Sequence, residues 1–466
     1  YYCFTTIGIY FNLKLLKLYS GKFVKKTLIV FSLFTVIACT ATNKQKTVGS
    51  TYDSAADIGL FLSTNDETLE NQVIDRLKSH DVNSVQIKQL LRATLLGPSQ
   101  NPKGLRSNLK LKIKQKQYTF ALYVPDLVSP DMPMIVIMHG MGGSGANTIQ
   151  AWIERLGDQF VIVCPTYPMG AWWSQNAENF VLQLINEIQS NYQIDPNRIF
   201  LSGLSNGAIG AYMLGMFYPD RFAGIIPIAG GITKRLMSFL VNLNNTPLYI
   251  IQGEFDPIFP IALIRRTYKI LSDFKSPVIY REHKERGAAH GGHFLPESEV
   301  PALIEWLTKQ KRNTSPKVIR ITREKNHMKR FFWARISKGL KLAALQIPGP
   351  EMEPHNIQDG KIATLFAIDK GNNRFMVRGK NVIEFEIYLS SDHIDFKKPV
   401  VVTFQSIQDE GNKLTPGKKF VAFNQKVKKD SNLLLQGFKE SRDQNLLFDA
   451  RITISTQKNI EFAASQ

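Results

Sequence analysis

The sequence predicts an α/β fold, a mostly parallel sheet with helices on both faces, followed by a C-terminal all-β domain of sandwich type. From residue 134 onward, short and nearly continuous apolar segments alternate with helical patterns. This pattern is typical of strands that are buried on both faces and alternate with helices. After residue 312, short β patterns are separated by turn residues. With 466 residues, 44% of them hydrophobic, the chain is long enough for two globular units and a large core.

Residues 1–39 are predicted to be an export signal. They carry lysines and no acidic residue, and they end in an apolar run at 27–38 that is shorter than the ~20 residues of a membrane span. The ending Val36-Ile37-Ala38-Cys39 resembles the bacterial lipoprotein signal, in which the cysteine is lipidated. This resemblance implies an exported protein, anchored through Cys39 in a bacterial cell envelope, in the periplasm or on the outer surface. The alternative is a plain signal peptide with an incidental cysteine.

The next segment, 40–108, is predicted to be a polar tether followed by a helical extension that packs on the rest of the protein. Its apolar residues recur at helical spacing between 55 and 97. Residues 109–124 alternate between apolar and polar side chains, which predicts an antiparallel hairpin at the start of a domain spanning 109–312.

Six strands are predicted in that domain, with helices over 176–192 and 261–273 between them. The strand segments are 134–138, 160–164, 198–201, 224–229, 248–252 and 277–281. Ligands bind at the carboxyl ends of parallel strands. The residues that follow each strand are therefore the candidate site residues.

The segment 198–207 reads as a buried strand that turns sharply at a serine. Gly203-x-Ser205-x-Gly207 has the spacing of a nucleophile elbow, in which the serine hydroxyl is exposed on a strained turn between strand and helix. Glycine is needed on both sides because the two backbones approach closely there. Ser205 is therefore the predicted nucleophile.

The other strand ends supply the remaining groups of a catalytic triad. The turn 139–145 is rich in glycine, which lets backbone N–H groups point at a substrate oxygen. Two carboxylates, Glu254 and Asp256, follow the fifth strand, and two histidines, His290 and His293, follow the sixth. Serine, acid and histidine in this order along the chain match a known triad arrangement.

Residues 110–310 resemble the α/β-hydrolase superfamily, in its esterase and prolyl-oligopeptidase-like branch. The resemblance implies that Asp256 is the acid, because the family's acid directly precedes a proline such as Pro257. It favours His290 as the base from its spacing, with His293 as the alternative. It also implies that the N–H groups of Met141 and Asn206 form an oxyanion hole.

Composition excludes several other function classes. Apart from Cys39 the chain has only Cys3 and Cys164, so no cysteine metal site is expected, and no cofactor is predicted.

The net charge is +19, with most of the excess in residues 310–466. A solvated lysine-rich surface is preferred here over a site for acidic polysaccharide or anionic membrane, and no nucleic-acid partner is expected.

The predicted function is a serine esterase that acts on small-molecule or polysaccharide esters, with the membrane contacted through a lipid anchor. One alternative is a prolyl-oligopeptidase-like serine peptidase. The segment between residues 39 and 109 is too short for the propeller of that family, which needs at least four blades of ~40 residues. The other alternative is a binding module without catalysis. The C-terminal unit, 313–466, is predicted to be an accessory β domain, for docking or packing.

Overall fold

The computed structural model describes residues 52–94, 101–126, 129, 132–287, 290–345, 360–410 and 413–456. All of these residues belong to one compact unit. The predicted signal segment 1–39, with Cys39, lies outside the described residues, as does the first part of the predicted tether.

The α/β part consists of one large sheet and five main helices. Its strands are β1 (Gly104–Ile113), β2 (Lys116–Val124), β3 (Met132–Met138), β4 (Val161–Thr166), β5 (Ile194–Leu204), β6 (Gly224–Ile228), β7 (Leu248–Gly253) and β8 (Val278–His283). Three helices, α1 (Ser54–Ser63), α2 (Glu67–Ser79) and α3 (Ser84–Thr94), precede it. The helices between and after the strands are α4 (Gly145–Leu156), α5 (Gln175–Asn191), α6 (Asn206–Phe217), α7 (Ile261–Asp273) and α8 (Val300–Lys309).

The strands of this sheet follow the order β1-β2-β4-β3-β5-β6-β7-β8. The pairs β1–β2 and β2–β4 are antiparallel, and the others are parallel. Alternate residues enter two separate cores, since Val136 and Leu201 pack in one cluster and Ile135 and Phe200 in the other. Burial on both faces explains the nearly continuous apolar strands, and it confirms the predicted mostly parallel sheet between helix layers.

The C-terminal part contains two further sheets and one helix. Its elements are β9 (Val318–Arg323), β10 (Ala334–Gly339), β11 (Ala363–Asp369), β12 (Arg374–Lys380), β13 (Val382–Leu389), β14 (Val400–Glu410), β15 (Lys413–Gln425), α9 (Ser431–Ser441) and β16 (Ala450–Ser455). The sheets β10-β13-β16 and β15-β14-β12-β11-β9 share one apolar core, so the predicted additional β domain is present.

Three features of this part differ from the sequence prediction. The strands β12 and β15 and the helix α9 were not predicted. In addition, the sheets are not purely antiparallel, because β12 pairs with β14 in parallel. The chain leaves β12 for β13 in the other sheet and then returns beside β12, so β14 runs in the same direction.

The helices α1, α2 and α3 pack against α9. Ile58, Val73 and Leu91 share one buried cluster with Leu434 and Phe438 of α9. The N-terminal extension therefore packs on the C-terminal part of the chain. Among the described residues, no helix has the length and apolar character that crossing a membrane requires.

Candidate active site

Ser205 forms the turn between β5 and α6. The strand ends at Leu204 and the helix begins at Asn206, so the serine alone makes the change of direction. Its backbone has φ 58° and ψ −119°, in a region that costs a residue with a Cβ about 1–3 kcal/mol. The Ser205 N–H donates a 3.0 Å hydrogen bond to the carbonyl oxygen of Ile228 on β6. The sheet therefore holds the serine in a strained conformation.

The two glycines of the motif are required by the close approach of strand and helix. A Cβ at Gly203 would lie 2.2 Å from the carbonyl oxygen of Gly207, and a Cβ at Gly207 would lie 2.1 Å from that of Met138. In both cases the obstacle is backbone, which cannot rotate away as a side chain can. The local geometry therefore has the strand, tight turn and helix that the elbow motif requires.

Asp256 lies in the turn after β7, where four hydrogen bonds hold its carboxylate. The N–H groups of Ile258 and Phe259 donate to Oδ1 at 2.8 and 3.0 Å. The Gln252 side-chain amide and the His293 ring donate to Oδ2 at 2.8 and 2.9 Å. The Asp256 side chain has no exposed surface, so its orientation is set by these four donors.

The same contacts determine the charge of this carboxyl group. Burial acts to raise the pKa of Asp256, but the hydrogen bonds from Phe259, His293 and Ile258 outweigh burial and hold the pKa below its ordinary value. Asp256 is therefore a carboxylate at neutral pH, in position to orient and stabilise a histidine ring.

The structure pairs Asp256 with His293 and not with His290, the histidine that the sequence analysis favoured from its spacing. The His293 ring is mostly buried and stacks nearly parallel to Phe259, with ring centroids 6.0 Å apart. His290 is exposed, and its carbonyl oxygen accepts a 3.0 Å hydrogen bond from the His293 N–H. The predicted role for His290 is corrected accordingly, and the alternative, His293, occupies the position beside the acid.

The physical reason is the packing of two glycines between these histidines. A Cβ at Gly253 would lie 2.2 Å from the carbonyl oxygen of Gly292, so the loop is pressed against the end of β7. The Gly292 N–H donates to the carbonyl oxygen of Phe255 at 3.2 Å, and Gly291 has a positive φ of 57°. This turn places His293 beside Asp256. His290 precedes the turn and is exposed to solvent.

Glu254, the other acid considered, makes a structural contact instead. Its N–H donates a 2.8 Å hydrogen bond to the carbonyl oxygen of His283 at the end of β8. Within the described part of the chain, its carboxylate receives no hydrogen bond from His290 or His293. Glu254 thus continues the β7–β8 pairing.

His139 positions the glycine-rich turn after β3, although the sequence analysis gave it no role. Its Nδ1 lies 2.6 Å from the carbonyl oxygen of Gly140, and its Nε2 accepts a 3.1 Å hydrogen bond from the Tyr167 N–H. The acceptor role of Nε2 requires the proton to be on Nδ1. Burial lowers the pKa of His139, so the ring is neutral. Trp172, fully buried, donates to the His139 carbonyl oxygen at 2.8 Å.

The turn that His139 supports lies directly beside the serine. A Cβ at Gly140 would lie 3.3 Å from Ser205 Cβ and 3.9 Å from its Oγ. The backbone N–H groups of Met141 and Asn206 have no acceptor among the described residues. That of Asn206 is the first N–H of α6, where the helix terminus favours negative charge. Two backbone donors are thus available near Ser205.

Ser205, Asp256 and His293 follow β5, β7 and β8 at one end of the sheet. Within the described residues, the Ser205 hydroxyl and the His293 ring share no hydrogen bond. Catalytic hydrogen bonds are often long in unliganded enzymes and shorten when substrate binds.

Sequence reasoning missed two residues that contact the Asp256–His293 pair. Gln252 is the polar residue near the end of the otherwise apolar strand β7, and its side-chain amide donates to Asp256. Phe259 follows the acid by three residues and packs on His293. Only the folded turn shows that both support the same pair.

Residues 173–310 match the family model described as phospholipase/carboxylesterase. This part of the chain has the α/β-hydrolase fold. A poly(3-hydroxyalkanoate) depolymerase C from Paucimonas lemoignei is 30% identical over 128 residues, which are 24% of this chain and 31% of the relative.

Other relatives of this chain are esterases by name. A bifunctional acetylxylan esterase/xylanase from Neocallimastix patriciarum is 30% identical over 118 residues, 23% of this chain and 17% of the relative. A solved thermostable esterase is 25% identical, with a TM-score of 0.38, over 44% of this chain and 62% of the other. The chain spans less than half the length of the curated relatives it matches.

Proposed function

We propose that the protein is a serine hydrolase that cleaves carboxylic esters. Ser205 is the nucleophile, His293 the general base and Asp256 the acid that orients it. The observation that carries the proposal is the 2.9 Å contact between His293 Nδ1 and Asp256 Oδ2 at the same sheet end as the strained Ser205. The matched phospholipase/carboxylesterase family supports ester hydrolysis as the reaction.

In the first half of the reaction, Ser205 Oγ attacks the ester carbonyl carbon while His293 Nε2 takes the hydroxyl proton. The carbonyl oxygen becomes an oxyanion, which the N–H groups of Met141 and Asn206 stabilise. Asp256 keeps the His293 proton on Nδ1 and stabilises the imidazolium. His293 then gives its proton to the alcohol as the carbon–oxygen bond breaks, leaving an acyl-enzyme.

Water completes the cycle by the same route. His293 takes a proton from a water molecule, whose oxygen attacks the acyl carbon, and a second oxyanion forms at the same donors. When this intermediate collapses, His293 returns the proton to Ser205 and the carboxylic acid is released. The Ser205–His293 hydrogen bond that this requires is formed in the substrate complex.

Acyl esters on polysaccharides are the substrate class we favour. Two of the relatives are named acetylxylan esterase/xylanase and feruloyl esterase B, the latter from Thermothelomyces thermophilus. Around the site, Met141, Met169 and Ile258 follow different strands and are each more than half exposed. Exposed apolar side chains grouped at one site mark a binding surface. They suit an apolar acyl group better than acetate.

Labelling with a fluorophosphonate probe tests the nucleophile and the base. We expect the unaltered protein and the Ser298→Ala variant, which removes an exposed serine, to be labelled, and Ser205→Ala to remain unlabelled. His293→Ala should lower ester turnover by about 10⁶-fold, as removal of a triad member does elsewhere, whereas His290→Ala should retain it. Equal labelling of Ser205→Ala, or loss of turnover in His290→Ala alone, would disprove the assignment.

Nitrophenyl esters of increasing acyl length measure the substrate preference. We expect kcat/KM to rise from acetate to butyrate and to fall again in Met141→Ser and Ile258→Ser variants, since both substitutions make the rim polar. Faster hydrolysis of a proline-containing peptide amide than of any ester would favour a peptidase.

We also propose that the protein is exported and anchored to a bacterial envelope through lipid on Cys39. The lysine-rich start, the apolar run and the sequence Val36-Ile37-Ala38-Cys39 support this. Expression with radiolabelled palmitate should label the protein but not its Cys39→Ser variant. Equal palmitate labelling of the unaltered protein and Cys39→Ser would disprove the lipid anchor at Cys39.

A further inference from the structure

A groove lies along α9 in the C-terminal part of the protein, with a cavity of about 520 Å³. Gln436, Gly437 and Glu440 line its floor from one face of the helix. A second cavity, of about 170 Å³, shares Glu440 and continues toward α5, where Asn186 lines it. We call this continuous feature the α9 groove. The α9 residues that line the groove run from Leu433 to Ser441, so the floor is about 12 Å long, enough for an extended ligand.

Four cationic side chains line the wall opposite the helix: Lys329, Arg330, Arg335 and Arg451. The exposed Lys329 has no hydrogen bond or ion pair among the described residues. A guanidinium has five N–H donors in a fixed planar arrangement, so an arginine with one or two protein contacts keeps donors for a ligand.

The acidic groups near this wall leave some of the arginine N–H donors without a close acceptor. Glu386 lies 3.4 Å from both Arg335 and Arg451, and Asp220 lies 3.5 Å from Arg330. These distances are long for charge-assisted hydrogen bonds, which are about 2.7–2.9 Å. Glu386 and Asp220 are themselves buried. Arg335 also donates to the Met328 carbonyl oxygen at 2.7 Å, and Arg330 donates to that of Phe332. These two guanidinium groups are therefore held in place without a close acidic partner.

Aromatic side chains complete the wall. Tyr388 and Phe448 pack edge to face, with ring centroids 5.6 Å apart, and the Arg330 guanidinium lies 4.6 Å from the Phe448 centroid. The Tyr388 hydroxyl donates to Glu386 at 2.8 Å. Fixed guanidinium groups, side-chain amides and apolar ring surfaces together suit a sugar chain that carries carboxylates, because each sugar has an apolar face and polar edges.

We propose that the α9 groove binds an acidic polysaccharide, a chain containing uronic acid sugars, at a site separate from Ser205. A dense polyanion fits less well, because the floor keeps the carboxylate of Glu440 and duplex DNA carries one charge per ~1.7 Å. The excess positive charge of residues 310–466 favours the approach of any anionic polymer. The inference does not require the proposed esterase activity.

Two groove variants with matched controls test the site by different means. Lys329→Glu reverses the unpaired charge, and Lys428→Glu makes the same change at an exposed lysine outside the groove. Gly437→Leu fills the floor, where an added Cβ meets no atom within 4 Å. Gly59→Leu adds the same side chain at an exposed glycine of α1 with equally open space.

Binding to polygalacturonate is measured by affinity electrophoresis and calorimetry, with neutral xylan and duplex DNA for comparison. We expect Lys329→Glu to weaken polygalacturonate binding by roughly tenfold or more, as loss of a hydrogen bond to a charged group does, and Gly437→Leu to abolish it. The two controls and Ser205→Ala should bind like the unaltered protein. All four surface variants should hydrolyse a soluble nitrophenyl ester at the unaltered rate, which separates this site from the proposed function.

Three results would overturn the inference. Equal binding of xylan and polygalacturonate would show that the carboxylates are not recognised. Unchanged polygalacturonate binding in both Lys329→Glu and Gly437→Leu would place the binding elsewhere. Tighter binding of DNA than of polygalacturonate, abolished by Gly437→Leu, would make the groove a nucleic-acid site instead.

Discussion

His327 is buried between two carboxylates where the α/β part meets the C-terminal sheets. Its Nε2 lies 3.1 Å from Oε2 of Glu178 on α5, and its Nδ1 is hydrogen-bonded to Glu324, just after β9. The ring stacks on Phe217 at 3.7 Å, and its side chain is only 4% exposed. Because both ring nitrogens face carboxylates, the structure favours the doubly protonated imidazolium.

This arrangement predicts a loss of stability at alkaline pH. Burial acts to lower the pKa of His327, but the hydrogen bonds that its ring donates to Glu178 and Glu324 outweigh burial and raise the pKa from 6.5 to about 9. The folded state therefore binds a proton that the unfolded state has released. The resulting stabilisation is complete below about pH 6.5 and is lost as the pH rises through about 9.

The size of this stabilisation follows from the difference between the pKa values of His327 in the folded and unfolded states. The difference corresponds to about 3 kcal/mol of unfolding free energy. The ring is almost completely buried, so solvent screens the interaction very little. Between roughly pH 7 and 8.5, the unfolding free energy should fall by about 1.2 kcal/mol per pH unit.

Urea unfolding at a series of pH values measures this slope. The series should stay below pH 9.5, because ordinary tyrosine and lysine side chains, with pKa values of about 10 and 10.4, would otherwise begin to titrate. Glu178→Gln is the informative variant. It keeps a side chain of the same shape but removes a charge, and its amide can donate to a neutral imidazole. We expect the slope to flatten in Glu178→Gln and to persist in His290→Gln, which alters an exposed histidine.

A flat profile of the unaltered protein between pH 7 and 8.5 would refute this reasoning. The same holds if Glu178→Gln and the unaltered protein lose stability in parallel, because the slope would then come from other groups.

Two further predictions concern the candidate active site. Asp256→Asn should lower kcat by about 10⁴-fold, because an amide donor facing His293 Nδ1 forces the wrong tautomer; an unchanged kcat in ester turnover would contradict this role. Gly203→Ala should destabilise the fold by about 3 kcal/mol, because its Cβ would lie 2.2 Å from the Gly207 carbonyl oxygen. A thermal unfolding midpoint within a degree of the unaltered protein would show that the elbow can relax.

The α/β sheet was predictable because its strands are buried on both faces. Residues such as Ile135 and Val136 are neighbours in the chain but enter opposite cores, so each strand must be apolar throughout. The helix predicted at 261–273 has the observed bounds, Ile261–Asp273. The serine turn could also be predicted from the sequence, because a Cβ at Gly203 or Gly207 would clash with backbone and both positions therefore require glycine.

The C-terminal part was less predictable, since its contacts join distant segments. The parallel pair of β12 and β14 depends on β13 lying in the other sheet. The amphipathic pattern of α1 to α3 predicts a buried face, but only the fold shows that Leu435 and Phe438 of α9 cover it.

The sequence by itself determined that a serine at a glycine-bounded turn, a carboxylate and a histidine follow three different strands of a mostly parallel sheet. Backbone sterics and burial on both faces impose local residue patterns that can be recognised without the structure. Only the tertiary structure decided which of His290 and His293 lies beside Asp256. Both are histidines in the same loop, and the choice depends on Gly292 packing against Gly253, a contact between segments about forty residues apart that carries no local signal.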